Sequence, residues 1–139
     1  MNEGTVTLIG NVVTDIKCQL TAQGHKVAKF RMVVHSRRFD RALERWVDSE
    51  ASFYSVATWR TTAENVAMSV KKGDPVVVTG RIRVREWERD GRTGTSVEVD
   101  AQAIGHDLTR GRSQFRRPTR GIEGSLEPVV FERPREQAA

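Results

Sequence analysis

The sequence predicts an all-β domain, a small barrel interrupted by a single helix and followed by an irregular tail. Three observations carry this. Five runs rich in β-branched and aromatic residues alternate apolar and polar side chains with a period of two. One segment between the third and fourth runs switches to spacings of three and four. Beyond residue 106 neither period continues.

The first run, residues 5–13, carries Val6, Leu8 and Val12 on one face, with Gly10 permitting a bend. The second, residues 27–35, sets Ala28, Phe30, Met32 and Val34 against Lys29, Arg31 and His35, which assigns Phe30 to the core. The third, residues 53–59, is Phe-Tyr-Ser-Val-Ala-Thr-Trp, dense in β-formers. A helix is expected over residues 61–71, opened by a Thr61/Glu64 capping box, lined by Ala63, Val66, Ala67 and Val70, and stopped by Gly73 and Pro75. The fourth run, residues 76–87, turns Val76, Val78, Ile82 and Val84 toward the core. The fifth, residues 95–104, has Val97, Val99, Ala101 and Ala103 on one parity and Glu98 and Asp100 on the other. Asp90-Gly91 joins the last two as a hairpin turn.

Three strands, a helix and two strands is the element order of the OB-fold, a five-stranded barrel whose helix plugs one end between strands 3 and 4. A β-sandwich is the alternative architecture. The domain is set at residues 1–106. Residues 107–139 are expected to form a flexible, disordered tail, because Pro118, Pro128 and Pro134 break it and charges dominate it. Its first part holds Arg110, Arg112, Arg116, Arg117 and Arg120 against Asp107; its last part is acidic on balance. An extra strand near residues 127–131 is a weaker alternative.

Function is read from the outward face of the fourth run. Arg81, Arg83, Arg85 and Trp87 share that parity. A row of guanidinium groups ending in an indole suits a single-stranded nucleic acid, with cations along phosphates and a ring under a base. The competing reading is a basic edge with one exposed Trp. The balance of 23 Lys plus Arg against 18 Asp plus Glu gives only +5, so the positive field must be local to matter. A second concentration lies in the segment between the second and third runs, where Arg37, Arg38, Arg41 and Arg45 crowd beside Glu44, Asp48 and Glu50. Phe39 lies in this polar segment, where a core ring is improbable, and Trp46 either meets a ligand or pins the segment's own hairpin. Phe53 and Trp59, six residues apart, share one strand face.

Other classes are disfavoured. Cys18 is the only cysteine and His25, His35 and His106 lack ligand spacing, which excludes an intrachain disulfide and argues against a metal or cofactor. No histidine stands beside a carboxylate pair or nucleophile at catalytic spacing, so an enzyme is not expected. The chain shows neither a leader-like start nor an 18-residue apolar span, so a cytoplasmic, nucleoid-associated location without a membrane partner is expected.

These landmarks resemble the bacterial single-stranded DNA-binding protein family over about residues 1–106. The resemblance rests on Leu8-Ile9-Gly10-Asn11-Val12, Ser36-Arg37-Arg38-Phe39-Asp40, Phe53-Tyr54-Ser55-Val56, Trp59-Arg60-Thr61-Thr62-Ala63-Glu64, Lys72-Gly73-Asp74-Pro75-Val76 and residues 80–87 in that order. It implies base stacking at Phe39, Phe53, Trp59 and Trp87, with Arg31, Arg37, Arg38, Arg41, Arg81, Arg83 and Arg85 as phosphate contacts. It implies sequence-independent binding and protection of single-stranded DNA in replication, recombination, repair or chromosome segregation. An RNA-binding or primosome-type module and an OB-fold protein–protein adaptor are the alternatives. It also implies a homotetramer built as a dimer of dimers, with the uncharged first strand pairing across a two-fold axis. Two departures stand out. The sequence ends Arg135-Glu136-Gln137-Ala138-Ala139 in place of the family's acidic, apolar tip, which implies a paralogue with weak or no recruitment of enzymes through the C-terminus. Tyr54 replaces the interface histidine of many members. Cys18, just past the first strand, is read as a small buried hydrophobe, with an intersubunit disulfide as the less favoured alternative.

Overall fold

The computed structural model describes residues 4–118 and 129–133. The side chains of Arg38, Asp48 and Ser49 lie outside the described parts. Six strands and one helix follow in the order β1 (Thr5–Val12), β2 (Lys17–Leu20), β3 (Lys26–Asp40), β4 (Arg45–Trp59), α1 (Arg60–Ser69), β5 (Pro75–Arg89) and β6 (Arg92–His106). The neighbours run β1-β5-β6-β4-β3-β2, and a further β1–β3 pairing closes the ring. The result is the five-stranded OB barrel, with β2 laid along β3 outside it.

Closure divides β1 between two partners. Its residues from Thr5 to Asn11 pair with β5, while Asn11 and Val12 pair with Val33 and Met32 of β3. Gly10 sits at this crossover. A Cβ there would lie 2.0 Å from the Val33 carbonyl oxygen, so only glycine lets the two backbones pass. Between β4 and β6 the ring is sealed by a short parallel ladder, Ser55↔Glu98, Val56↔Val99 and Ala57↔Asp100; the other pairings are antiparallel.

Inside, Leu8, Val12, Ala28, Phe30, Met32, Val56, Val76, Val78 and Val99 pack together, and Ala63, Val66 and Val70 of the helix region cap one end. Burying these alternating side chains on both sides of the ring is what drives closure. Thr58, fully buried, satisfies its hydroxyl by donating to the Ala28 carbonyl at 2.9 Å.

The sequence reading needs five corrections. β2 is a sixth strand, missed because Lys17-Cys18-Gln19-Leu20 is short and of mixed polarity. The second and third runs are not confined to residues 27–35 and 53–59 but continue into the segment between them. β3 and β4 extend through it as a two-stranded arm, with a register shift between His35 and Arg37 and a turn over residues 41–44. Asp40 stabilises that turn, its Oδ1 accepting from the amides of Ala42 at 2.9 Å and Leu43 at 3.2 Å. The capping box does not form: Trp59 is the N-cap, without a side-chain bond, and Glu64 instead takes Lys26 Nζ at 2.6 Å. Val84 is 64 % exposed, because β5 and β6 leave the barrel beyond Ile82 as a second arm with both faces open. In β6 the register shifts opposite Thr79 and Gly80, so parity flips and Ile104, not Ala103, packs inward. The Asp90-Gly91 turn is as expected, both residues with positive φ, at 53° and 75°.

Past β6 the described chain stays close to the barrel. The Asp107 amide donates to the Pro75 carbonyl at 2.9 Å, and His106 bridges Asp74 (Nε2, 3.0 Å) and Ser113 (Nδ1, 2.6 Å). The Thr109 hydroxyl, then its amide, bond the Asp107 carboxylate and hold its pKa below the ordinary value. Within residues 127–131, considered above as an extra strand, 127 and 128 lie outside the described residues. The described piece 129–133 makes a single parallel bridge, Gln19↔Glu132, and Phe131 packs against the core with Lys26 over its ring at 5.6 Å.

Candidate nucleic-acid interface

Strand register assembles one continuous outer face. On β4, Phe53, Ser55, Ala57 and Trp59 point outward by alternation. Their cross-strand partners on β3 include Ala57↔Lys29 and Ser55↔Arg31. On the other side the parallel ladder sets Glu98 beside Ser55 and Asp100 beside Ala57. Next come Arg81 and Arg83 of β5, opposite Asp100 and Glu98. A shallow trough results. Small residues Ser55 and Ala57 form its floor, Phe53 and Trp59 mark its ends about 20 Å apart at roughly 3.3 Å per residue, and charged side chains flank it.

The rings that the sequence singled out are all on the surface. Phe39 is 50 % exposed, Phe53 51 %, Trp59 40 % and Trp87 45 %. They are not gathered at one point. Phe53 and Trp59 lie on the barrel, with the Arg31 guanidinium 5.5 Å from the Phe53 ring centroid. Phe39 stands on the β3–β4 arm opposite Trp46, edge to face, with centroids 5.7 Å apart. Trp46 therefore pairs with Phe39 while remaining exposed. Trp87 stands on the β5–β6 arm opposite Gly94, and a Cβ on Gly94 would lie 2.1 Å from the indole. The ring lies over the one residue type that makes room for it.

The cations form a less uniform track than alternation alone implied. Arg83 Nη2 is 2.5 Å from Asp100 Oδ2, and Arg85 Nε is 3.6 Å from Glu98 Oε2. Alternation placed the acids on the outward parity of β6, but only register shows that they face the arginines. Such half-exposed pairs contribute under about 1 kcal/mol each to stability, so exchange with phosphate is cheap. Arg31, Arg37, Arg41 and Arg81 are also exposed; the side chain of Arg38 lies outside the described residues, although its backbone pairs with Val47. After the barrel, Arg110, Arg112, Arg116 and Arg117 lie along an exposed segment. Cys18 is half-buried on β2, opposite Ala28, and burial raises its thiol pKa, which disfavours the reactive thiolate.

Residues 3–107 match the Single-strand binding protein family. The chain belongs to this family. Members named as single-stranded DNA-binding proteins are non-enzymatic, and this chain is a non-enzymatic OB-fold protein of that kind. Among its relatives, "Single-stranded DNA-binding protein 2" of Streptomyces avermitilis is 43 % identical over 135 residues, covering 96 % of this chain and 85 % of the relative. Within the family's solved structures, the small single-stranded DNA-binding protein from Streptomyces coelicolor superposes with a TM-score of 0.72 at 43 % identity, over 80 % of this chain and all of that one. The second single-stranded DNA-binding protein of Mycobacterium smegmatis gives 0.65 at 29 % identity, over 84 % of this chain and all of that one. Among the described residues no helix is long and apolar enough to cross a membrane.

Proposed function

We propose that this protein binds and protects single-stranded DNA without strong sequence preference, by stacking bases on exposed rings and neutralising phosphates. The supporting observation is the outer face of β3, β4, β6 and β5, where Phe53 and Trp59 sit exposed between Lys29 and Arg31 on one side and Arg81, Arg83 and Arg85 on the other. Phe39 and Trp87, on arms with open faces, extend the platform beyond the barrel, and Arg37, Arg38 and Arg41 accompany Phe39. Its service is to replication, recombination, repair or chromosome segregation, where single strands are exposed. Residues 1–106 make up the proposed binding domain, and residues 107–139 the tail that follows it.

Fluorescence titration with polythymidine at several salt concentrations tests stacking and charge together. The expected result is Trp quenching on binding and an affinity that falls steeply with salt. Replacing Arg110, Arg112, Arg116 and Arg117 together by Ala should weaken binding and flatten the log–log salt slope by up to about 3, at roughly 0.7 per lost phosphate contact. An unchanged slope would remove the tail from the interface. Competition by an RNA oligomer of equal sequence decides between DNA and RNA as ligand.

A homotetramer, arranged as a dimer of dimers, completes the proposal. The stretch of β1 from Thr5 to Gly10 has no charged side chain and, among the described residues, pairs on one side only, with β5, which offers its other edge to a second copy. Light scattering at micromolar concentration should report four chains; a monomer mass would overturn the assembly. The half-buried Cys18 supports a packing role over an intersubunit disulfide.

A further inference from the structure

Asp100 occupies an unusual place for an anion. It lies in the face proposed to bind a polyanion, yet it is only partly exposed and is held on two sides. Its Oδ2 takes the Arg83 guanidinium at 2.5 Å, and its Oδ1 lies 3.5 Å from the Trp59 indole nitrogen, which donates to it. The indole keeps 40 % of its surface exposed, so its ring remains open to a stacking partner. Ala57, beside Asp100 in the ladder, adds no bulk between ring and carboxylate. A base laid on Trp59 would thus have, at its edge, a fixed group that can only accept hydrogen bonds.

We propose that Trp59 and Asp100 form a base-reading subsite that favours nucleobases bearing an exocyclic amino group, cytosine over thymine among the pyrimidines. This rests on the single-strand-binding reading given above and adds a selectivity to it. Cytosine presents an N4 amino donor where thymine presents the O4 acceptor. The Asp100 carboxylate bonds the first and repels the second. Arg83 and Trp59 leave it further lone-pair positions, since a carboxylate has about four. Arg83 acts here as a positioning residue that fixes the acceptor, and its charge offsets the repulsion between Asp100 and nearby phosphates. Lys29 and Arg31, across the trough, are left to take the backbone of the strand.

The test compares deoxycytidine and deoxythymidine oligomers of equal length, bound by the full chain and by Asp100→Ala and Asp100→Asn. The readout is the ratio of the two dissociation constants, because releasing Arg83 will tighten both complexes and a ratio cancels that gain. In Asp100→Ala the ratio should move toward thymidine by about tenfold, the scale of one lost charge-assisted hydrogen bond. Asp100→Asn preserves size and should shift it the same way, since its amide can donate to thymine O4. A ratio that stays constant across the three proteins, with both oligomers still bound, overturns the subsite. Failure of the unaltered protein to bind either oligomer would instead overturn the single-strand-binding reading, and the subsite with it.

Discussion

Gly80→Ala should lower thermal stability by roughly 3 kcal/mol, the upper end of ordinary overpacking costs, or about 10 °C in Tm for a domain of this size. The added methyl would lie 2.1 Å from the Asp100 carbonyl oxygen, 2.8 Å from its carbon and 2.9 Å from the Ala101 Cα. All three are backbone atoms, so no side chain can rotate away. Relief requires β5 and β6 to separate at their register shift, between fully buried Val78 and Val99. Gly105→Ala is the control, because a Cβ there meets nothing within 4 Å. Thermal unfolding followed by circular dichroism should separate the two variants clearly. Equal midpoints would mean that the strands do not approach this closely.

Trp87→Ala should do the reverse, leaving the midpoint almost unchanged while weakening binding of polythymidine by about 1–3 kcal/mol, the usual value of one stacked base. The ring stands on the β5–β6 arm, beyond the last half-buried residue of β5, and rests on Gly94. Its removal uncovers a glycine backbone and opens no core cavity. The same variant should lose more of the quenching signal than Trp46→Ala, whose indole is partnered by Phe39. Normal binding by Trp87→Ala would take the arm out of the interface.

Much of the barrel was legible because burial on one face imposes strict alternation. Ala28, Phe30 and Met32, or Val76 and Val78, can be assigned inward from parity alone. The Asp90-Gly91 turn was legible because few residue pairs tolerate two positive φ values. What escaped depends on neighbours distant in sequence. β2 is defined by its pairing with residues 26–29, not by its composition. The β3–β4 arm is largely exposed and mixes charged residues with Phe39, Leu43 and Trp46, so no hydrophobic period marks it as strand. Parity fails at a bulge, which is why Ile104 and Ala103 exchange roles. The outward placement of Phe53, Trp59 and Trp87 was correct, yet the arginine face was read as cationic throughout. Glu98 and Asp100 had been assigned to the outward side of β6, but only the β5–β6 register brings them onto Arg83 and Arg85.

The parallel ladder between β4 and β6 has a consequence for motion. It is three residue pairs long, whereas its neighbours on either side run for thirteen and fourteen. Local opening favours segments with little to lose, so this seam should open more readily than the long ladders beside it, and amide hydrogens of Val99 and Ala57 should exchange sooner than those of Val78. The exposed indole of Trp59 lies on one bank of this seam and Asp100 on the other. A strand of nucleic acid that touches both acts as a suture: each bound base raises the cost of parting the banks. Protection of those amides would then rise with ligand concentration by mass action, and exchange rates at a few backbone positions would report occupancy of the trough without any fluorescent ring taking part.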